Sequence, residues 1–195
     1  MRQLLLLIVI SIIGTAHAET PIMGEPEIDA RSMTEFIRRH NPNFDSEIAE
    51  AYYNIGCRYG VRGDIAICQA ILETGWFQFS SGTAVTADQH NYCGLGVTEA
   101  LSRGATFATI EEGVTAQIQH LYAYASRRGL PDGETVVDPR YTYVPRGVAP
   151  TWESLSGRWA VNKEYGNRIL NLYYTMTGRI IEVIEVQIPD DLLNF

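Results

Sequence analysis

The sequence predicts a mainly α-helical domain of α+β type, interrupted by a loop-rich insertion with room for a small β-hairpin. Three observations predict it. Five segments between residues 31 and 178 carry helix caps or apolar residues at helical spacing. Residues 77–108 lose that period and fill with Gly, Ser, Thr and Asn, and residues 130–157 are punctuated by Pro131, Pro139, Pro145 and Pro150. The insertion is expected to form one wall of a cleft and the helices the other.

Each element has its own reason. Ser32-Met33-Thr34-Glu35 has the form of a capping box opening a short helix, which Asn41-Pro42 should stop. Asp45 is placed to cap the next helix, whose Ile48, Tyr52, Ile55 and Tyr59 recur at helical spacing as far as Gly60. Asp64 is expected to cap a third, with Ile65, Cys68, Ile71 and Leu72 inward and Gly75 as its stop. Thr109-Ile110-Glu111-Glu112 is a second capping box, opening a helix through Val114, Ile118, Leu121 and Ala125 to Gly129. A last helix runs from about Lys163 to Thr177, with Ile169, Leu172, Tyr173 and Met176 inward and Gly178 as its stop. Residues 19–30, with several acids, Pro and Gly, read as an exposed lead-in, and 31–178 as one domain. The tail 179–195 is β-branched enough for a strand.

The 195 residues suit a single domain with short attachments. Met1 to Ala18 has the parts of a secretory signal peptide: Arg2, an apolar stretch from Leu4 to Ile13, and Ala16-His17-Ala18 for cleavage. Those ten apolar residues fall short of the roughly 17–25 that span a bilayer, so no membrane anchor is expected after cleavage. The protein is therefore expected to be exported, to a periplasm or out of the cell. Removing 1–18 takes one Arg and no acid, which changes the formal charge from −8 to −9. Nucleic-acid binding needs clustered positive charge, so that partner is excluded. With Lys163 the only lysine, in Val-Asn-Lys-Glu-Tyr, a Schiff-base lysine and a Walker loop are poor readings too.

Cys57, Cys68 and Cys93 allow one internal pair at most; Cys57 with Cys68, across the turn at 59–63, is one reading, and three buried thiols the other. The histidines lack metal-ligand spacing, so neither a metal nor a cofactor is expected. Arg62-Gly63-Asp64 is explained by a turn glycine and a helix cap, and Gly94-Leu95-Gly96 lacks the context of a dinucleotide loop. Ser80 and Ser81 have no nucleophile-elbow setting.

Glu73 stands out. It closes an apolar helix and is followed by Thr74-Gly75-Trp76-Phe77. The negative end of the helix and the aromatic surface both disfavour a carboxylate, which would raise its pKa towards that of a general acid. A solvated glutamate at a helix end is the alternative.

Gln69-Ala70-Ile71-Leu72-Glu73-Thr74-Gly75-Trp76 resembles the catalytic helix of the bacterial glucosaminidases of glycoside hydrolase family 73. Asn91-Tyr92-Cys93-Gly94-Leu95-Gly96, the segment 113–121, Asp138-Pro139-Arg140-Tyr141, Arg146-Gly147 and Trp159-Ala160 through Tyr165-Gly166 follow that family's later blocks in order. The resemblance implies a lysozyme-like fold and cleavage of the β-1,4 bond after N-acetylglucosamine in peptidoglycan glycan strands. Glu73 matches the proton donor, and Tyr165 the late active-site tyrosine. Asn91 and Tyr92 match residues near the cleft, and Trp76 joins them as a candidate sugar contact. Some members carry a second Glu after the Asn-aromatic block; here Glu99 is the candidate, with participation of the substrate's own acetamido group as the alternative. Two rival readings stay open: a lytic transglycosylase, disfavoured by Thr74 after the acid and the lack of a Gly-Leu-Met-Gln block, and a non-catalytic peptidoglycan-binding scaffold.

Overall fold

The computed structural model describes residues 19–80, 82–97 and 103–179. The signal segment, Glu99 and nearly all of the tail lie outside the described residues. Among the described residues five helices make the fold: α1 (Ala30–Arg38), α2 (Ser46–Tyr59), α3 (Gly63–Thr74), α4 (Ile110–Ala125) and α5 (Tyr165–Thr177). Short 3₁₀ turns at Ala87–Gln89, Tyr141–Tyr143 and Glu153–Leu155 punctuate the connections. Among the described residues the expected β-hairpin is missing; only isolated bridges occur, such as Met23 to Val61.

α3 is the centre. Every residue from Gly63 to Ile71 is buried, so this helix is enclosed on all sides rather than along a stripe, with Asp64 and Gln69 as buried polar groups within it. α2 and α5 pack on it, and α1 and α4 pack on α2. Close approach of α2 and α3 depends on glycine: a Cβ on Gly63 would lie 2.0 Å from the Tyr52 carbonyl oxygen. Ile65, Ile67 and Ile71 are each at most 2% exposed, which contributes about 1.5–3 kcal/mol apiece.

The helix ends show where local reading succeeds. Asp45 accepts from Glu47 N at 3.0 Å to start α2, and Gly60, Gly75 and Gly178 close α2, α3 and α5 with left-handed backbone. Thr109 accepts from Glu112 N, while the Glu112 carboxylate reaches Ala108 N instead of the cap's own N–H. Three ends differ. α1 is capped by Asp29, whose carboxylate accepts from Ser32 N at 2.7 Å, rather than by Ser32; a charged acceptor makes the stronger cap. Asp64 lies inside α3, fully buried and paired with Arg62. α4 stops at Ala125, because Gly147 N and Ala149 N take the carbonyls of Ala123 and Tyr124.

The lead-in is not a loose exposed segment. Glu19, Pro21, Glu25, Glu27 and Asp29 face solvent, but Ile22 is 0% exposed and its N–H donates to Pro150 O. Arg62 N and Trp152 N donate to Ile22 O and Thr20 O, which ties residues 19–24 to two distant turns. All three cysteines are free thiols, so Cys57 and Cys68 are not bonded. Among the described residues, no helix is long and apolar enough to cross a membrane.

Candidate active site

Glu73 is the penultimate residue of α3, and it meets Tyr165, the first residue of α5. The Tyr165 hydroxyl donates to Glu73 Oε1 at 2.5 Å. Gly166 makes this possible by letting α5 start hard against the 153–155 turn: a Cβ there would lie 2.2 Å from Trp152 O. Burial raises the Glu73 pKa above the ordinary glutamate value, while the Tyr165 hydrogen bond and the Arg168 charge draw it back. Burial, then the Glu73 charge, pushes the Tyr165 phenol well up, so it remains a donor.

Behind Tyr165 stands a buried polar train. Gln69 Nε2 donates to Tyr165 Oη at 2.9 Å, Gln117 Nε2 to Gln69 Oε1 at 2.9 Å, and Tyr52 Oη to Gln117 Oε1 at 2.5 Å. Gln69 and Gln117 are fully buried.

In front of Glu73 the loop 91–97 closes over the helix end. A Cβ on Gly94 would lie 3.9 Å from Glu73 Oε2. Asn91 folds this loop: Oδ1 accepts from Leu95 N, and Nδ2 donates to Leu95 O and Ala105 O, all within 3.0 Å. With 1% exposure and its polar atoms occupied, Asn91 shapes the loop instead of presenting a free group to a sugar.

Beyond Gly94 opens a cleft of about 220 Å³ lined by Cys93 to Val97, His120, Tyr124, Arg140, Tyr143, Arg158 and Trp159, among others. His120 Nδ1 and Asp138 Oδ2 are 2.7 Å apart, and the His120 ring stands edge-on to Trp159 at 5.0 Å. Arg140 and Arg158 bring cationic groups to this wall, and neither forms a salt bridge to a described residue.

Tyr92 belongs to a second groove, with Asn41, Phe44, Phe77, Phe79 and His90. It is 2% exposed and packs near Tyr52, Phe77 and Phe79, so its ring is largely core. Trp76 stacks on His40 at 3.7 Å and leans on Phe36 at 5.5 Å, which commits its ring to α1. It lies on a left-handed run at Gly75, Trp76 and Phe77, with φ of 59°, 61° and 57°. Asn41 Nδ2 holds that run by donating to Trp76 O and Phe77 O.

Of the six candidate residues, the structure thus brings Glu73 and Tyr165 into contact and sets Asn91 and Tyr92 as framework near them. Trp76 is turned to α1, and Glu99 lies outside the described residues. Sequence reading missed the roles of Gln69, Gln117 and Tyr52, whose signal was amides at buried positions of α3 and α4. It placed His120, Arg140 and Trp159 in motif blocks without assigning them to a cleft wall, and it missed Tyr124 and Arg158 beside them. Among the described residues no three His, Cys, Asp or Glu gather as a metal site.

The mainly helical fold, with a partly buried acid at the end of its central helix, is consistent with a lysozyme-like architecture. The chain belongs to the glucosaminidase family, described as mannosyl-glycoprotein endo-beta-N-acetylglucosaminidase, whose match covers residues 49–178. An uncharacterized protein of Borreliella burgdorferi is 40% identical over 127 residues, which are 65% of this chain and 60% of that protein. The chain thus spans less than two thirds of that relative. The structure of S. aureus Autolysin E in complex with the muropeptide NAM-L-Ala-D-iGlu aligns with a TM-score of 0.52 and 8% identity, over 83% of this chain and 74% of that one. The catalytic domain of the autolysin Auto from Listeria monocytogenes aligns at 0.43 with 19% identity, over 85% and 92%.

Proposed function

We propose that this protein is an exported peptidoglycan hydrolase that cleaves the β-1,4 bond after N-acetylglucosamine, with Glu73 as general acid. The observation that carries the reading is the partly buried Glu73 carboxyl, held by Tyr165 and bordered by Gly94 of the cleft wall. A carboxyl whose pKa is raised by burial keeps its proton nearer neutral pH, as protonation of a leaving glycosidic oxygen requires. As the bond breaks, the proton passes to that oxygen and positive charge develops on the sugar ring. The carboxylate left behind is stabilised by the Tyr165 hydroxyl and the Arg168 charge.

The cleft supports the substrate class. Trp159 and Tyr124 offer apolar faces for sugar rings, and Arg140 and Arg158 offer donors for the carboxylates of a lactyl group or stem peptide. The muropeptide on Autolysin E is a ligand of that kind. Export rests on residues 1–18, and N-terminal sequencing of the mature protein should begin at Glu19.

Digestion of purified sacculi tests the reading. The wild-type protein should release reducing N-acetylglucosamine ends and Glu73→Gln none. Residual release by that variant would overturn Glu73, anhydro ends would indicate a transglycosylase, and binding without turnover a scaffold. Anomeric analysis of fresh product then separates the second role. Net inversion matches Glu99 as base, and retention matches participation of the acetamido group.

A further inference from the structure

We infer that Gln69, Gln117 and Tyr165 form a one-way hydrogen-bond train that confines the acid proton of Glu73 to Oε2, the oxygen that faces Gly94. The inference builds on the proposed role of Glu73 and concerns residues that do not touch the substrate, which makes Gln69 and Gln117 positioning residues.

The direction of the train follows from a single backbone atom. Gln117 Nε2 lies 3.2 Å from the Ala66 carbonyl oxygen, which can only accept. The amide of Gln117 must therefore turn its nitrogen to Ala66 and its oxygen to Tyr52, whose hydroxyl donates to it at 2.5 Å. The same nitrogen faces Gln69 at 2.9 Å, so Gln69 must present its oxygen there. That leaves the Gln69 nitrogen for Tyr165, at 2.9 Å. The Tyr165 oxygen receives that N–H, and its single hydrogen has one acceptor among the described residues, Glu73 Oε1. Flipping Gln117 would set its oxygen against the Ala66 carbonyl, and flipping Gln69 would set its NH₂ against that of Gln117, in a region where both glutamines are fully buried.

Two consequences follow for Glu73. Oε1 is an acceptor whether the carboxyl is protonated or not, so the transferable proton resides on Oε2. This oxygen is the one nearest Gly94, and Gly94 itself lines the cleft. After transfer, the carboxylate keeps the Tyr165 donor in place without any hydroxyl having to rotate. The train takes one residue from each of α2, α4, α3 and α5, so the packing of four helices sets the polarity of one carboxyl. The other titratable or charged groups around Glu73 are Arg168 on α5 and the buried Cys93 thiol on the 91–97 loop.

The test titrates the Glu73 side-chain carboxyl by ¹³C NMR in the full-length mature protein, assigned by its loss in Glu73→Gln. Tyr165→Phe removes the donor outright and should raise the pKa by about one unit. Gln69→Met should raise it by less. Gln117→Met, which does not touch Glu73, should raise it too, because Gln69 is then free to flip and take the Tyr165 hydrogen. Gln69→Glu should restore the wild-type value while its carboxyl is neutral, since a protonated acid both accepts from Gln117 and donates to Tyr165.

A general acid must be protonated, so the alkaline limb of peptidoglycan hydrolysis should move to higher pH along with the NMR titration, with KM unchanged in the two Met variants. Folded Gln69→Met and Gln117→Met proteins with a wild-type Glu73 titration would overturn the train. Should both fold poorly, an unchanged Glu73 pKa in Tyr165→Phe overturns it equally. Shifted titrations without hydrolysis by the wild-type protein would sink the proposed function and leave the train standing. Hydrolysis with unshifted titrations would do the reverse.

Discussion

Glu73 concentrates the conflict between function and stability in one side chain. Burial raises its pKa in the folded protein, so at intermediate pH the fold binds a proton that the unfolded chain releases. Stability attributable to this group falls as pH climbs from the unfolded pKa to the folded one, and stays lowered above that window. Glu73→Gln, which keeps the shape and can still accept from Tyr165, should therefore melt about 2–4 °C higher at pH 7 than the wild type. At pH 4 the two should melt together. Calorimetry at the two pH values checks both the direction and the window. Arg168 acts in the opposite sense, since its charge favours the carboxylate. Arg168→Gln should move the alkaline limb of activity to higher pH without touching the cleft aromatics.

Among the elements, the 91–97 loop and the cleft wall carry the most functional consequence. Asn91→Ala strands Leu95 N, while Leu95 O keeps Ala105 N and Ala105 O keeps Gln89 Nε2, at a cost of about 1–3 kcal/mol. Because Gly94 borders Glu73, kcat should drop as well as thermal stability, and a variant that lost stability with kcat intact would separate loop from catalysis. On the facing wall, Arg140→Gln and Arg158→Gln should raise KM for peptide-bearing glycan more than for glycan stripped of its stem peptides. Parallel digestion of the two substrates reads that ratio, and an equal rise on both would remove the arginines from peptide recognition.

The ease with which these elements read from sequence varied with how local their causes are. α2 and the ends of α3 and α5 were legible, because Asp45, Gly60, Gly75 and Gly178 act on their own neighbours. Asp64 misled, since its partner Arg62 fits the same turn pattern that a cap would, and only the long-range contact from Glu27 N reveals its task. In the site, Glu73 and Tyr165 were legible as motif positions 92 residues apart. Trp76 was not, because its left-handed backbone aims the ring at His40 on the far side of the turn.

At the scale of the whole molecule, one ionic knot joins the chain's first described segment to α5. Arg62 forms two hydrogen bonds to Asp64 at 2.9 Å, another to Glu27 at 2.9 Å and a fourth to the Tyr173 hydroxyl at 2.7 Å. Tyr173 in turn donates to Glu27 Oε2, and Asp64 accepts from Glu27 N. Asp64 has no solvent exposure, so a change at Arg62 strands a charge that water cannot reach. Arg62→Met should cost about 3–5 kcal/mol, more than the pair contributes relative to an apolar replacement of both partners. Ile22→Ala should cost about 2–5 kcal/mol through the cavity it leaves beneath the same segment. If residues 19–29 act as a strap, the two losses should not add. Once Arg62 is gone the strap is already loosened, and the second change removes less. A double-mutant cycle by urea denaturation measures the coupling directly. Full additivity would mean that the ionic knot and the Ile22 anchor hold the chain independently. In Arg62→Met, coupling predicts faster protease cutting within 19–29 while Glu73 and Tyr165 stay in contact, as read by an unchanged alkaline limb.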